Sequence, residues 1–125
     1  METGLSINKY IFKKLSSDEK LKEFVGKNIY PIVAEEDVTF PFITFKKTSI
    51  YPQTFKTGVS VDRVNFEVNV EAVDYIKNVT ISERVRELLE LRTSSYFKRI
   101  EFVGNTEDYV NSIYTQTLQF SAMIW

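Results

Sequence analysis

Ten consecutive residues, Arg63 to Ala72, alternate between polar and apolar side chains without an exception. The apolar positions are Val64, Phe66, Val68, Val70 and Ala72, and the polar positions are Arg63, Asn65, Glu67, Asn69 and Glu71. A period of two residues is typical of a β-strand that buries one face. The segment therefore predicts a long antiparallel strand with one face on a core and the other towards solvent.

The same period recurs between Tyr114 and Trp125, at the carboxyl end of the chain. Leu118, Phe120, Ala122 and Ile124 form the apolar face of this second strand, whereas Met123 and Trp125 lie on its opposite face. One domain core cannot easily bury both sets. We expect Met123 and Trp125 to be covered either by the amino-terminal helices or by a neighbouring subunit, and we favour the subunit.

The sequence of the rest of the chain predicts helices and shorter strands. Apolar residues at helical spacing predict an amphipathic helix over Leu5–Leu15, a short helix from Lys20 to Val25, and a longer helix that begins near Ile81 and ends near Arg92. The capping-box pattern at Thr80–Glu83 sets the start of the longer helix. Further strands are expected over residues 28–33, 40–50 and 96–103, with turns over 51–58 and 104–108.

The predicted order is α-α-β-β-β-α-β-β. It indicates an α+β fold: an antiparallel sheet of about five strands with helices packed on one face. The length of 125 residues suits a single domain, residues 1–125.

The composition excludes several classes of function. Sixteen basic and seventeen acidic residues give a net charge of −1, which does not favour nucleic acid or a membrane as a primary partner. The chain lacks an apolar run of about 18 residues, and its first residues lack the features of a signal peptide. Without cysteine or histidine it has no thiol chemistry and lacks the commonest acid–base and metal-binding side chain. We expect no catalysis, no cofactor and no metal site.

Several charged or polar motifs have ordinary structural explanations. The acidic runs Glu35–Asp37 and Glu107–Asp108 are interpreted as solvated loops rather than cation sites. Lys46 and Lys47 project to opposite faces of one strand, so one of them must lie at the rim of the core face, with its stem along apolar surface. The sequon Asn78-Val-Thr80 is explained by helix capping at Thr80.

Aromatic residues beside Pro52 form the first candidate contact surface. Tyr51 and Phe55 either fold back on the domain or protrude as anchors for another subunit, since aromatic residues dominate interface hot spots. The predicted subunit-interface residues are Tyr51, Phe55, Lys56, Met123 and Trp125.

A series of short motifs resembles one known protein family along nearly the whole chain, from about Ile7 to Trp125. The motifs are the helix pair, Val25-Gly-Lys-Asn-Ile-Tyr30, Phe40-Pro-Phe-Ile-Thr-Phe45, the alternating strand Arg63–Ala72, Glu107-Asp-Tyr109 and the strand Leu118–Trp125. In this order they are similar to the tail-completion proteins of long-tailed bacteriophages and prophages, which are related to tail terminators.

The resemblance implies a structural virion protein without catalysis. Members of this family form a ring, commonly a hexamer, at the head-proximal end of the tail, after assembly in the host cytoplasm. The implied partners are further copies of the chain, the tail-tube protein and the head-connector protein, with DNA passing through the lumen without specific binding. A ring requires two different contact surfaces on each subunit. The aromatic turn at 51–58 and the Met123–Trp125 end are the expected pair.

Two other classes of function stay open on the sequence alone. A small ferredoxin-like module could bind a ligand or nucleic acid on its open sheet face. The polar side chains of Asn65, Glu67 and Asn69 argue against RNA there, because no stacking aromatic residues accompany them. An enzyme based on carboxylates ranks third.

Overall fold

The fold is an α+β arrangement in which the helices and strands follow one another in the predicted order. The computed structural model describes residues 4–58, 60–92 and 99–124. A 3-10 turn at Gly4–Ser6 precedes α1 (Ile7–Ser16), α2 (Glu19–Val25), β1 (Ile29–Pro31), β2 (Phe42–Thr54), β3 (Ser60–Ala72), α3 (Tyr75–Leu89), β4 (Glu101–Val110) and β5 (Ile113–Ile124). The predicted fold class is confirmed.

The five strands form one sheet in the spatial order β1-β2-β3-β5-β4. The pairs β2–β3, β3–β5 and β5–β4 are antiparallel, as expected. The β1–β2 pair is parallel, with Ile29 opposite Ile43, so the sheet is mixed. The chain turns at Ile32, whose φ is 66°, and returns through residues 32–41 before entering β2 in the same direction as β1.

Apolar side chains from both long strands pack under the helices. The predicted stripe of β3 (Val64, Phe66, Val68, Val70, Ala72) is buried, and so is the predicted stripe of β5 (Leu118, Phe120, Ala122, Ile124). The Phe66 and Phe120 rings stack with their centroids 5.2 Å apart. Helix α1 adds Ile7, Ile11 and Leu15, all fully buried. The periodicities of 2 and 3.6 residues thus identify the core correctly.

Helix α3 begins six residues before the predicted start. The capping residue is Asp74, whose carboxylate accepts a hydrogen bond from the Lys77 N–H. Thr80 lies inside the helix and donates its hydroxyl to the carbonyl of Ile76, so the predicted capping box is wrong. A threonine hydroxyl can bond to the carbonyl four residues earlier, which makes a capping pattern ambiguous inside a helix. The helix ends at Leu89 rather than near Arg92.

The predicted turn at 104–108 is also wrong, because these residues belong to β4. The chain reverses at Asn111 and Ser112, whose φ angles of 54° and 65° are those of a two-residue type I′ hairpin turn. Gly104 instead adjoins a bulge that interrupts the pairing with β5 after Phe102. Because β4 is an edge strand, most of its residues are exposed and polar. Its sequence therefore resembles that of a loop. The predicted strand at 96–103 lies partly outside the described residues.

Strand β2 extends through most of the predicted turn at 51–58. Tyr51 pairs with Arg63, Pro52 pairs with Asp62, and the pairing continues to Thr54. The described part of the turn is therefore residues 55–58. Strand β1 pairs with β2 only as far as Phe45. From there to Thr54, the outer edge of β2 pairs with no described strand. Proline is tolerated at such an edge because its missing N–H removes no ladder hydrogen bond.

Helix α3 is fixed to the sheet by a buried amide. Asn78 is fully buried, and its Nδ2 donates to the carbonyls of Val70 on β3 (2.8 Å) and Tyr114 on β5 (2.9 Å). One side chain therefore fastens the first turns of α3 across two strands. Its burial also removes Asn78 from any glycosylating enzyme in the folded state.

A second polar contact, made by a carboxylate, joins α2 to the second half of α3. Asp18 caps α2 by accepting from the Leu21 N–H (3.0 Å), and it accepts two hydrogen bonds from Arg84 of α3 (3.0 and 2.7 Å). The hydrogen bond from the Arg84 guanidinium is the main cause that lowers the pKa of Asp18.

Replacing Asn78 with alanine is expected to lower the free energy of unfolding by about 2 kcal/mol, because two buried hydrogen bonds are lost. Denaturant unfolding followed by circular dichroism measures the change. Thr80→Ala in the same helix is the matched control and should shift stability by less than about 0.5 kcal/mol. Equal stability of the two variants would contradict the role of Asn78.

Asp18→Asn is expected to destabilise the protein at neutral pH but not in acid. Since the folded-state pKa of Asp18 is lowered, its charge contributes stability above the unfolded-state pKa of about 3.9, and that contribution disappears as pH falls through the lowered value. Chemical unfolding at a series of pH values should show the wild-type and variant curves converging below about pH 4. A gap that stays constant in acid would exclude this linkage.

Candidate subunit interface

The centre of the open sheet face, opposite the helices, is polar and bonded within itself. Thr117 donates its hydroxyl to Asn69 (2.6 Å), and Lys46 forms an ion pair with Glu67 (3.6 Å). Lys47 lies on the helix side, where its ammonium donates to the carbonyl of Leu5 (3.1 Å). This confirms the expectation that one lysine would lie at the rim of the core face. None of the described residues at this centre is aromatic.

One end of the open face brings two predicted contact regions together. Tyr51, Arg63 and Met123 occupy one row across β2, β3 and β5, because Arg63 pairs with Tyr51 on one side and with Met123 on the other. Tyr51 is 44% exposed and Met123 is partly exposed. The arginine is held within the sheet by a hydrogen bond from Nη1 to the hydroxyl of Ser121 (3.1 Å).

The adjoining turn carries Phe55 and Lys56, both exposed, with Phe55 at 47%. Phe55 therefore protrudes rather than folding back into the core. We call Tyr51, Phe55, Lys56, Arg63 and Met123 the hairpin-end patch. Trp125, the fifth predicted interface residue, lies outside the described residues. Tyr51 and Met123, which come from the two regions expected to act as separate contact surfaces, thus lie in one row of the sheet.

The position of Met123 excludes one of the two structures that were expected to cover it, namely the amino-terminal helices. It lies in the same row as Arg63, on the face opposite the helices, so the amino-terminal helices do not cover it. Cover by a neighbouring subunit remains a prediction.

A cluster of tyrosines and acids lies at the β4 side of the sheet, and sequence reasoning missed it. Tyr114 contacts Tyr109 (ring centroids 4.5 Å apart) and Tyr75 (5.3 Å). The Glu107 carboxylate accepts hydrogen bonds from Tyr75 Oη (3.1 Å) and from Gln116 Nε2 (2.6 Å). The hydrogen bond between Tyr75 and Glu107 raises the pKa of Tyr75. The register of β4 on β5 creates the cluster, and no single motif in the chain encodes it.

A pocket of about 410 Å³, lined by apolar side chains and two lysines, opens at the β1 side of the sheet. Its lining residues are Phe12, Ser16, Lys22, Gly26, Lys27 and Ile29. Phe12 is 40% exposed, and its ring stacks on Phe45 with centroids 6.2 Å apart. The sequence contains one sign of this pocket. Phe12 follows Ile11 in α1 and therefore lies off the apolar stripe that faces the core.

The described residues lack two features that other functions would require. Within residues 4–58, 60–92 and 99–124, no three acidic side chains come close enough to hold a metal ion. Over the same ranges, no helix is long and apolar enough to cross a membrane.

Comparison with known proteins gives a likeness of fold. No family model matches the chain. No curated protein matches it either. Among solved structures, a chain of the virion of a native gene transfer agent particle superposes with a TM-score of 0.78, at 16% sequence identity, over 91% of this chain and 90% of the other. At that identity, the likeness concerns the fold across essentially the full length of both chains.

Phe55→Asp is expected to leave the fold and its stability intact, within about 0.5 kcal/mol, because the side chain makes no part of the core. Denaturant unfolding and the near-ultraviolet spectrum measure this. Phe45→Asp, at a fully buried position, is the contrasting variant and should fail to fold. A large loss of stability in Phe55→Asp would show that the turn packs on the domain.

Proposed function

We propose that this protein is a structural component of a phage-like virion, which caps the head-proximal end of the tail tube as a ring and helps to join tail to head. The observation that carries the proposal is the fold shared with a virion chain over about nine-tenths of both lengths. The sequence motifs that resemble tail-completion proteins support the finer placement at the tail end.

The surfaces of the domain support an assembly role. The hairpin-end patch combines two half-exposed aromatic residues with Met123, Arg63 and Lys56 at one end of the sheet. Aromatic residues, methionine and arginine are enriched in protein interfaces. We propose that this patch contacts another subunit of the ring. The further partners would be the tail-tube protein and the head-connector protein.

The charge of the chain fits a ring with DNA passing through its lumen. A net charge of −1 gives DNA little overall attraction, so the nucleic acid can pass without being held. We propose a passive lumen and no catalytic step. The genes beside this one are expected to encode a tail-tube protein and a head-connector protein.

The test is the mass of the purified protein in solution over a concentration series, by light scattering, with and without a tail tube assembled from the neighbouring gene product. We expect a ring, commonly of six copies in the family that the chain resembles, at least when the tube is present. Phe55→Asp should weaken assembly, and Glu83→Gln on the exposed face of α3 is the matched surface control.

One outcome would overturn the proposal. A strict monomer at high concentration that ignores the tail tube, and that binds RNA or a small ligand tightly, would favour the ferredoxin-like binding module instead. Normal assembly by Phe55→Asp would remove only the hairpin-end patch from the ring contacts.

A further inference from the structure

The two lateral sides of the sheet carry unlike surfaces. On the β4 side, the β4–β5 hairpin presents Glu107, Asp108, Tyr109 and Val110, which we call the acidic tip. On the β1 side, the pocket between α1, α2 and β1 has Phe12 and Ile29 as its apolar part and Lys22 and Lys27 as its cations. We call it the basic pocket.

The charges on both sides lack strong partners within the subunit. Over the described ranges, no ion pair includes Lys27, Glu107 or Asp108, and Lys22 reaches only the exposed Glu19 at 3.6 Å. Both hydrogen bonds to the Glu107 carboxylate end on Oε2, and none of the described residues donates to Oε1. Each side can therefore accept an opposite charge from outside.

The apolar parts of the two surfaces also match. Tyr109 is 56% exposed at the hairpin tip, and Val110 beside it is equally exposed. The pocket volume of about 410 Å³ falls in the range of pockets that enclose a small ligand, which is enough for an aromatic side chain.

The sheet register places the two surfaces at the same level. Ile29, Ile43, Val70, Gln116 and Glu107 form one unbroken row across all five strands. Residues of one row point to the same face, so Glu107 and Ile29 both lie on the helix side, about 19 Å apart across four strand spacings. Side-by-side copies would bring tip and pocket together without an axial shift, as a closed ring requires.

We propose that the acidic tip of one copy docks into the basic pocket of the next copy, with Tyr109 as the anchor and Glu107 facing Lys22 and Lys27. Asp108, which pairs with Thr115, lies on the other face of β4 at the edge of this contact. This inference rests on the proposed ring and names its lateral contact. The contact is heterologous, because the surfaces that meet are different, and repetition of such a contact generates a ring when the rotation closes.

A self-complementary dimer through either surface is disfavoured by the same charges. Two basic pockets facing each other would bring lysines together, and two acidic tips would bring carboxylates together. The hairpin-end patch lies about 24 Å farther along the strands, seven residues of β3 from this row, so both contacts can form on one subunit.

The absence of cysteine from the chain allows a direct test. Lys27→Cys and Asp108→Cys are made separately, one with a size tag, mixed in equal amounts and treated with a short bis-maleimide spacer. The matched control pairs Asp108→Cys with Lys46→Cys, which replaces a lysine that is exposed like Lys27 but lies on the open face.

The mixture of the Lys27 and Asp108 variants should give heterodimers severalfold above the control pair, and neither variant alone should give more homodimer than the control. Added salt should lower the yield, because screening weakens the pairing of the remaining charges, Glu107 and Lys22. Tyr109→Ala in the Asp108→Cys copy should lower it roughly tenfold, as expected for an aromatic anchor. A yield no higher than that of the control pair overturns the lateral contact.

The mass measurement separates this inference from the proposed function. A ring by mass without the cross-link removes the lateral contact and leaves the ring. The heterodimer cross-link, together with masses that increase with concentration without a closed species, supports the contact and contradicts the ring.

Discussion

The pairing of β3 with a strand on each side is the constraint from which the other features of the fold follow. Asp62 to Ala72 pair without a break with β5, and the β2 side is interrupted by one bulge between Lys47 and Ser49. A slip of one residue would move every apolar side chain of β3 to the open face. The same register separates a helix face with a stacked Phe66–Phe120 pair from a polar open face. It also sets which residues lie level at the two edges.

Two polar contacts, one in each half of the helix, decide how α3 lies on this sheet. Apolar burial alone would tolerate sliding, because hydrophobic attraction has no direction. Asn78 requires two particular carbonyls, and Arg84 requires the Asp18 carboxylate that also caps α2. A buried polar group is costly without its partners, so these contacts select one position of the helix. That position leaves Tyr75 beside Glu107, where the acidic tip begins.

The sequence predicts those parts of the fold in which one local period determines burial. The stripes of α1, β3 and β5 and the order of elements were predicted correctly because their residues face one core. Boundaries were wrong where local chemistry is ambiguous: Thr80 satisfies its hydroxyl inside a helix, and the polar residues of β4 pair along an exposed edge. The parallel β1–β2 pair and the lateral surfaces depend on register between distant segments. For the same reason Tyr51 and Met123, 72 positions apart in sequence, could not be identified as members of one row.

The proposed ring would give the exposed apolar residues a partner, which an isolated domain does not. The centre of the open face satisfies its own hydrogen bonds, so it needs no partner. Exposed aromatic residues gather instead at the hairpin end and beside both lateral edges. A single symmetric dimer covers one patch on each subunit, whereas a ring uses unlike surfaces on both sides of every copy. Repetition of the same contact between copies gives either a closed ring or an open filament. The rotation that relates one copy to the next decides which of the two forms. The right-handed twist of a five-stranded sheet already supplies a fixed rotation between its two edges.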